Sequence, residues 1–477
     1  MNIWMTSRCE RIESRECTVA HLLAPWWNEA MSSLHAGTAS WSSEPGSGRG
    51  RSHGTSSREA FDRWFRYPAG FASDYVELLL DRLDLTDGTV IDCFAGSGVT
   101  GTAARSRGLS FAGIEAHPAV AELATLKLAP TATGQQVRAL ASELATKVRG
   151  GTGTRAKAGA NIGDTEPDLV RRSFSQETLA SLIALRDPIK QRIDEPAALY
   201  AKWALLATLR DVASVKVGWP YQRPGVARQP RHRDPVARFE TRANLMADDL
   251  EATAGSPTPS KKISAQVIVG DSSDPAAWSQ MTERGVACVA SPPYLNNFDY
   301  ADATRLELFF WGDVSTWGDM CREVRADMLT ATTQQSSVGA KETALKELRG
   351  RSSDSVGPVS EIVALVDRMV ETRLKREKRS KEYDQVAPAY FLSIWDILEN
   401  LYRQLREDAT ALWLIGDSAP YGVYIDTPRI IGELAEIVGF SMMDDVRLRE
   451  RGNRWGQNAD RHKVPLTERL IVLTKPG

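Results

Sequence analysis

The chain has 477 residues, of which 42% are hydrophobic and 25% charged, and its 59 basic and 61 acidic side chains nearly cancel. This composition excludes a disordered, collagen-like or strongly charged protein, and the length predicts two or three domains. The charged N-terminus lacks the apolar core of a signal peptide, and no apolar run is long enough to span a membrane. Five scattered cysteines without a CxxC pair or a histidine cluster predict a reducing cytoplasmic setting and no metal site. Any polyanion would have to bind to a local basic patch.

Residues 1–57 form an N-terminal segment without a strand or helix pattern. It ends in a stretch rich in Gly, Ser and Thr, and this composition predicts a flexible linker. Apolar residues at helical spacing predict a helix through Val76, Leu79 and Leu83. One predicted strand then ends at Asp92, and a second ends at Glu115 after a glycine turn and a small-residue helix. A strand, turn, helix, strand unit of this kind is typical of a doubly wound, mostly parallel sheet. We therefore predict an α/β fold whose sheet begins in residues 58–130.

The middle of the chain interrupts this alternation. Residues 131–262 carry long helical patterns, which predict an inserted helical subdomain. Residues 131–260 have a net charge of +5, whereas the rest of the chain has −7. Strand patterns return with QVIVGD and GVACVASPPY, so the sheet is predicted to resume over residues 263–477, with a helical basic excursion at about residues 313–385.

A glycine-rich turn, DCFAGSG at residues 92–98, joins the first predicted strand to its helix. Glycines allow a tight turn and a close approach of a ligand to the backbone, and a helix N-terminus favours electron-rich groups. An acid at the tip of the second strand, here Glu115, can accept hydrogen bonds from ribose hydroxyls. The pattern predicts a nucleoside site, with a plain glycine turn as the alternative. The missing third glycine and the missing GK[ST] disfavour NAD and ATP.

The sequence SPPY, residues 291–294, directly follows the apolar strand VACVA. Two prolines end a strand and leave carbonyl groups free to face a cleft, and the tyrosine provides an aromatic face beside them. Such a platform can accept hydrogen bonds from an exocyclic amine and stack the ring that carries it. The alternative is a turn with a packing aromatic residue.

Together the two motifs resemble those of the S-adenosylmethionine-dependent amino-methyltransferases of DNA, which modify adenine N6 or cytosine N4. The resemblance covers about 300 residues in two blocks and includes DCFAGSGVTG, GIEAHP, VIVGDSSD and SPPY. It implies a seven-stranded methyltransferase sheet. It also implies that FDRWFRYPAGFASDYVELLL closes over the methionine end of the cofactor. The S-adenosylmethionine site it implies consists of Asp92, Phe94, Gly96, Gly98, Glu115 and Asp271, with Glu115 on the ribose and Asp271 on the adenine amine.

The catalytic residues that the resemblance implies are Ser291, Pro292, Pro293 and Tyr294. The Ser291 hydroxyl and the Pro292 carbonyl would hold the amine of a flipped-out base, and Tyr294 would stack on its ring. The reaction is an in-line displacement from a sulfonium, which needs alignment more than a strong base. Serine in the first position, where many adenine enzymes have aspartate, leans toward cytosine N4 in this family, and both bases stay open.

Basic residues among aromatic ones predict contacts with nucleic acid. The richest segment is WPYQRPGVARQPRHR at residues 219–233, and a polar segment, LNNFDY, follows the proline motif at residues 295–300. Two further basic segments, residues 373–381 and 447–463, are each either a DNA contact or a solvated surface. The predicted nucleic-acid contacts are Arg223, Arg228, Arg231, Arg233, Asn296 and Asn297.

These features predict a DNA methyltransferase of a restriction-modification or phage-defence system, with double-stranded DNA as substrate. A nuclease or another defence protein would be its partner in such a system. Two alternatives stay open. One is an RNA methyltransferase that acts on a guanine or adenine amine in the same cleft. The other is a DNA-binding specificity subunit that has the fold without the activity.

Overall fold

The computed structural model describes most of the chain beyond residue 55, namely residues 56, 58–67, 72–151, 165–217, 233–254, 263–296, 299–333, 339–352, 357–376, 381–451 and 465–477. These residues all belong to one unit, Arg51–Gly477. The predicted N-terminal segment and linker lie outside the described residues, apart from Ser56. The same holds for residues 377–380 and 452–463 of the two further basic segments. Four predicted nucleic-acid contacts also lie outside them: Arg223, Arg228, Arg231 and Asn297.

A seven-stranded sheet forms the centre of the fold. Its strands are β1 (Thr89–Asp92), β2 (Ser110–Glu115), β3 (Ala265–Val269), β4 (Gly285–Ala290), β5 (Leu405–Gly416), β6 (Ser441–Arg451) and β7 (Leu466–Thr474). They lie in the order β3-β2-β1-β4-β5-β7-β6. In the described sheet, β7 runs antiparallel to both of its neighbours, β5 and β6, and the other pairs are parallel. The predicted α/β fold with a mostly parallel sheet is thus confirmed.

Helices fill the connections between the strands. They are α1 (Ser73–Arg82), α2 (Val99–Ser106), α3 (Pro118–Leu128), α4 (Gly134–Gly150), α5 (Asp168–Ser173), α6 (Gln176–Gln191), α7 (Pro196–Val212), α8 (Pro235–Ala254), α9 (Pro275–Trp278), α10 (Arg305–Trp311), α11 (Trp317–Asp319), α12 (Ala340–Arg351), α13 (Pro358–Leu374), α14 (Val386–Gln404) and α15 (Thr427–Val438). Helices α12 to α15 share an apolar core with sheet residues such as Ile91, Cys288 and Trp413. Among the described helices, none is long and apolar enough to cross a membrane.

Helices α4 to α8 lie between the second and third strands in sequence, and they share a second apolar core with α3, α10 and residues 64–67. Two of these helices begin at capping residues: Thr133 and Gln136 form a capping box at the start of α4, and Ser175 caps the start of α6. The predicted boundaries of the insertion, residues 131 and 262, stay a prediction, as do those of the excursion at 313–385.

The strand order reverses between β1 and β4, which are adjacent and parallel. Val90 pairs with Ala287 and Ile91 with Cys288. The loops that follow β1 and β4 therefore leave the same edge of the sheet side by side, although they lie far apart in sequence. In open α/β sheets, ligands bind at the carboxyl ends of the strands at such a switch point.

Candidate active site

A cavity opens at this switch point, between the loops that follow β1, β2, β3 and β4. It encloses about 750 Å³ of space between the atoms, part of it open to solvent. We call it the switch-point cavity. The predicted site residues that line it are Asp92, Phe94, Gly96, Glu115, Asp271, Ser291 and Pro293. The structure thus brings the glycine loop and the proline motif together around one space.

Asp92 holds the glycine loop in shape. Its carboxylate accepts hydrogen bonds from the Phe94 N–H at 2.9 Å and from Thr100 Oγ1 at 2.6 Å. Thr100 Oγ1 also lies 3.4 Å from the carbonyl oxygen of Val289 in β4, which ties α2 to that strand. Burial raises the pKa of Asp92 to about 7, against the opposing effect of these two hydrogen bonds. One carboxylate oxygen binds the glycine loop and the other binds α2, so direct contact of Asp92 with a ligand stays a prediction.

The two predicted glycines lie in left-handed backbone, with φ of 52° at Gly96 and 85° at Gly98. This conformation favours glycine over residues with a side chain. A Cβ at Gly98 would lie 3.1 Å from the Cβ of Ala124, so Gly98 also lets α2 approach α3. Gly98 is not among the described residues that line the cavity, whereas Gly96 lines it and a Cβ there would lie 3.7 Å from Cε1 of Tyr67.

Glu115 stands at the tip of β2, as the sequence predicts, and is 8% exposed. Its Oε2 accepts a hydrogen bond from the Gly96 N–H at 2.7 Å, and its Oε1 accepts one from the His117 N–H at 2.8 Å. Burial raises the pKa of Glu115 to about 7, and these two N–H groups act in the opposite direction. The carboxylate is fixed in orientation, and each oxygen keeps a lone pair for a further donor. This is the arrangement that two neighbouring hydroxyls require.

The loop after β3 adds a second acidic wall. Asp271 accepts a hydrogen bond from the Ser273 N–H at 2.8 Å, and its pKa is raised by burial and by the negative charge of Asp327. The hydroxyl of Ser272 donates to the carbonyl of Cys93, which joins this loop to the glycine loop. Asp271 and Asp327 both line the switch-point cavity, so one wall of the cavity favours a cationic or hydrogen-bond-donating ligand.

Ser291 connects the proline motif to the next strand. Its Oγ donates a hydrogen bond to the carbonyl oxygen of Leu414 in β5, with 3.1 Å between the two oxygens. Because the hydroxyl hydrogen is used there, the lone pairs of Oγ stay available to accept an N–H. Ser291 and Pro293 line the cavity; Pro292 is buried and does not.

Tyr294 lies on the side of the proline motif that faces β5, β6 and β7. It is 7% exposed and is not among the residues that line the cavity. Its hydroxyl donates to Oε1 of Glu468 at 2.6 Å, and its N–H donates to the hydroxyl of Tyr300 at 3.1 Å. The guanidinium of Arg451 lies over the ring, with Cζ 4.7 Å from the ring centroid. The predicted stacking of Tyr294 on a base therefore stays a prediction.

Asn296 has strained backbone and an unsatisfied side chain. Its φ is 57°, and its N–H donates to the carbonyl of Ala331 at 2.8 Å. The side-chain nitrogen and oxygen are both buried and have no hydrogen-bond partner among the described residues. A buried amide without partners costs free energy and is ready to bind a polar group.

Several residues that line the cavity were not predicted from the sequence as ligand contacts. Tyr67 belongs to the segment that the family resemblance places over the cofactor. That resemblance is the feature of the sequence from which its position at the cavity could have been predicted. Others come from a later segment and from α14, and no spacing in the sequence points to them. They are Asp327, Met328, Leu329 and Ile397. Tyr300 also lines the cavity, and it ends the LNNFDY segment for which the sequence predicts nucleic-acid contacts.

A π-helix, Met320–Arg325, leads directly into the cavity residues Asp327 and Met328. Arg325 at its end is buried and forms ion pairs with Asp299 and Asp302, in the segment after the proline motif. Short π-helical turns are frequent at functional sites. These ion pairs hold the two segments together on one side of the cavity.

Arg233 is the one predicted basic contact that the described residues include. It lies 3.7 Å from Asp211 at the end of α7, and Arg238 and Arg242 of α8 each lie 2.8 Å from the same carboxylate. Three guanidinium groups around one carboxylate leave a local excess of positive charge. Arg242 also donates to the carbonyl of Arg63, in the segment that carries Tyr67. We call these three arginines the Asp211 cluster.

The sheet order, the acid at the tip of β2 and the proline motif at the tip of β4 define the chain as a methyltransferase fold. A sequence model of the family described as DNA methylase, of the N6 and N4 type, matches residues 15–126. The type II methyltransferase M.BsoBI of Geobacillus stearothermophilus is 22% identical over 480 residues, which cover 89% of this chain and 87% of that protein. The type II methyltransferases M.AvaI of a Nostoc species and of Anabaena variabilis are each 25% identical over 191 residues, 39% of this chain and 38% of theirs.

These matches and the fold agree with the resemblance noted from the motifs. The chain is therefore similar to the DNA methylases of the N6 and N4 type in residues 15–126, and to a type II methyltransferase over most of its length.

Proposed function

We propose that this DNA methyltransferase transfers the methyl group of S-adenosylmethionine to an exocyclic amine of a base flipped out of double-stranded DNA, cytosine N4 or adenine N6. One observation carries the proposal: Gly96 and Glu115 of one motif and Ser291 and Pro293 of the other line the same cavity at the carboxyl edge of adjacent strands. A donor and an acceptor that bind to these two loops would meet at one place.

The residues of the cavity fit S-adenosylmethionine. Glu115 would accept hydrogen bonds from the two ribose hydroxyls, because its carboxylate is already oriented by two N–H groups. Asp271 and Asp327 provide acceptors for the amines of the ligand, and their negative charge suits its cationic centre. The bound donor supplies a methyl group on a sulfonium, whose leaving group needs no protonation.

The acceptor side depends on Ser291 and Pro292. The Ser291 oxygen, whose own hydrogen is bonded to Leu414, would accept one N–H of the target amine, and the Pro292 carbonyl would accept the other. Two such hydrogen bonds draw the nitrogen toward a tetrahedral geometry and direct its lone pair toward the donor. The nitrogen then loses a proton to solvent. These residues align the reactants and need no strong general base.

The target base would stack on Tyr294, and the buried amide of Asn296 would bind the flipped base or the partner base left behind. Flipping a base costs a few kcal/mol, which stacking and backbone contacts recover. The Asp211 cluster would bind phosphates of the duplex, together with the basic segment at residues 219–232. The names of the type II relatives support a role in restriction-modification, in which a nuclease of the same specificity would be the partner.

The test is to incubate the protein with radiolabelled S-adenosylmethionine and separate pools of duplex DNA and transfer RNA. The methylated nucleoside is then identified by mass spectrometry, and its sequence context is mapped by sequencing. We expect N4-methylcytosine or N6-methyladenine in the DNA pool. The control is Tyr294→Ala, which should abolish transfer and leave cofactor affinity within about twofold, since Tyr294 does not line the cavity. Label that enters only RNA would overturn the proposal.

A further inference from the structure

Glu468 is a buried carboxylate in β7, and no motif of the sequence points to it. It is 6% exposed. Burial by itself raises the pKa of this carboxyl, but the charge and hydrogen bonds of Arg449 and the hydroxyl of Tyr294 outweigh it, so the pKa lies below its ordinary value. The carboxylate is therefore ionised at neutral pH inside the protein.

This carboxylate holds the far end of the Tyr294 side chain. The phenol donates to Oε1 of Glu468 with 2.6 Å between the two oxygens. Arg449 Nη2 donates to the same oxygen at 3.2 Å, and Arg449 Nε pairs with the other oxygen. A hydrogen bond to an ionised carboxylate is about twice as strong as one between neutral groups. The ring of Tyr294 is thus fixed at both ends, by the backbone and by Glu468.

The plane of the ring is also defined by its neighbours. The guanidinium of Arg451 covers one face. At Gly416, on the end of β5, a Cβ would lie 2.8 Å from Cδ2 of Tyr294, so only glycine leaves room for the ring in this orientation. The same end of β5 carries Leu414, which binds the Ser291 hydroxyl. Strands β5 and β7 therefore orient both Ser291 and Tyr294.

We propose that Glu468 is a positioning residue for methyl transfer: it holds the Tyr294 ring in the orientation on which the extruded base stacks, so that the amine reaches Ser291 and Pro292. This inference rests on the proposed function. Since Glu468 and Tyr294 do not line the switch-point cavity, the effect falls on the transfer rate and not on binding of the methyl donor. Small displacements of aligned reactants lower rates strongly.

The test compares Tyr294→Phe, Glu468→Gln and the double variant with the wild type. The single-turnover rate of methyl transfer is measured at saturating S-adenosylmethionine on a duplex that carries the mapped site, and the dissociation constant of S-adenosylhomocysteine is measured by calorimetry. We expect each single variant to lower the rate by about tenfold, with the dissociation constant within about twofold. The double variant should be no slower than the slower single variant, because both changes break the same bond. Independent losses that multiply to about a hundredfold, or unchanged rates, would overturn the inference.

Two controls separate positioning from loss of structure. Tyr294→Phe keeps the pair of Glu468 with Arg449 intact, so its result decides the question even if Glu468→Gln is too unstable to assay. Glu433→Gln breaks a partly exposed carboxylate–arginine pair, that of Glu433 with Arg429 in α15, and should leave the transfer rate unchanged. A wild-type protein that methylates no DNA would reject the proposed function. A wild type that methylates DNA, with variants that match it, would reject only the role of Glu468.

Discussion

Individual carboxylates in this protein differ in what they do, although the sequence presents them alike. Asp92 and Glu115 both end a buried strand and both line the cavity. Asp92 binds the loop at the Phe94 N–H and α2 at Thr100, whereas Glu115 accepts the N–H groups of Gly96 and His117 and keeps lone pairs for a ligand. Burial raises the pKa of each to about 7. The carboxyl groups of Asp92 and Glu115 should therefore change protonation near neutral pH.

Cofactor affinity should depend on pH through Glu115. Ribose hydroxyls bind best to the ionised carboxylate, so a proton must leave Glu115 for tight binding when the pH is below its pKa of about 7. Affinity for S-adenosylhomocysteine should rise from pH 6 to pH 8 by about five- to tenfold and then level off. Calorimetry at a series of pH values measures it.

The matched variant is Glu115→Gln, which keeps the size and removes the titration. It should bind more weakly at pH 8 and show a flatter pH dependence. Asp92 is present in both proteins, so the difference between them belongs to Glu115. An equally steep dependence in the variant would assign the titration to another group.

At the scale of elements, α7 and α8 present the basic part of the helical insertion. Asp211, near the end of α7, forms ion pairs with Arg238 and Arg242 of α8, whose side chains are 32% and 22% exposed. In sequence, the segment rich in arginine, residues 219–232, lies between these two helices. The cluster adjoins Arg63, in the segment that leads to Tyr67 at the cavity.

Replacing Arg238 and Arg242 by glutamine should weaken DNA binding and reduce its dependence on salt. Each lost phosphate contact should lower the slope of log affinity against log salt concentration by about one. Fluorescence anisotropy of a labelled duplex at several salt concentrations measures the slope. The control is the pair Arg171→Gln and Arg172→Gln in α5, which are exposed and pair with Asp168. An unchanged slope, or an equal change in the control, would show that the Asp211 cluster does not contact DNA.

Across the whole molecule, the helical insertion supports the site through the segment at residues 61–67. Asp249 of α8 is 3% exposed and accepts hydrogen bonds from the Phe61 N–H at 2.9 Å and from Trp64 Nε1 at 2.8 Å. Trp64 and Tyr67 belong to the apolar core of the insertion, and Tyr67 also lines the switch-point cavity. The insertion is therefore connected to the donor side of the site as well as to the basic surface.

Asp249→Ala should weaken cofactor binding although Asp249 does not touch the cavity. The change leaves the Phe61 N–H and Trp64 Nε1 without a partner, at a cost of about 1–3 kcal/mol each. It also breaks the ion pair of Asp249 with Arg63 and loosens the segment that places Tyr67. We expect the dissociation constant of S-adenosylhomocysteine to rise about tenfold, which corresponds to ~1.4 kcal/mol. The neighbouring Asp248→Ala removes an exposed partner of Arg138 and should bind like the wild type. Equal affinity for the two variants would contradict this role.

Local patterns were sufficient to predict the parts of the site that depend on a single strand end. Glu115, Asp271 and Ser291 follow apolar runs, and a parallel strand places the residue after such a run at the carboxyl edge. Contacts between distant segments were not predictable in this way. Asp327 reaches the cavity through the pairing of Arg325 with Asp299 and Asp302, and Glu468 reaches Tyr294 through the order of β5 and β7, which only tertiary packing determines.

The position of β7 between β5 and β6 has a consequence for the nascent chain. Strand β6 leaves the ribosome first, but in the described sheet its neighbour is β7, which is synthesised later. Until β7 emerges, β6 has no place in the sheet and Tyr294 lacks its carboxylate. The edge of the sheet that holds Tyr294 is therefore completed only after β7 has been synthesised.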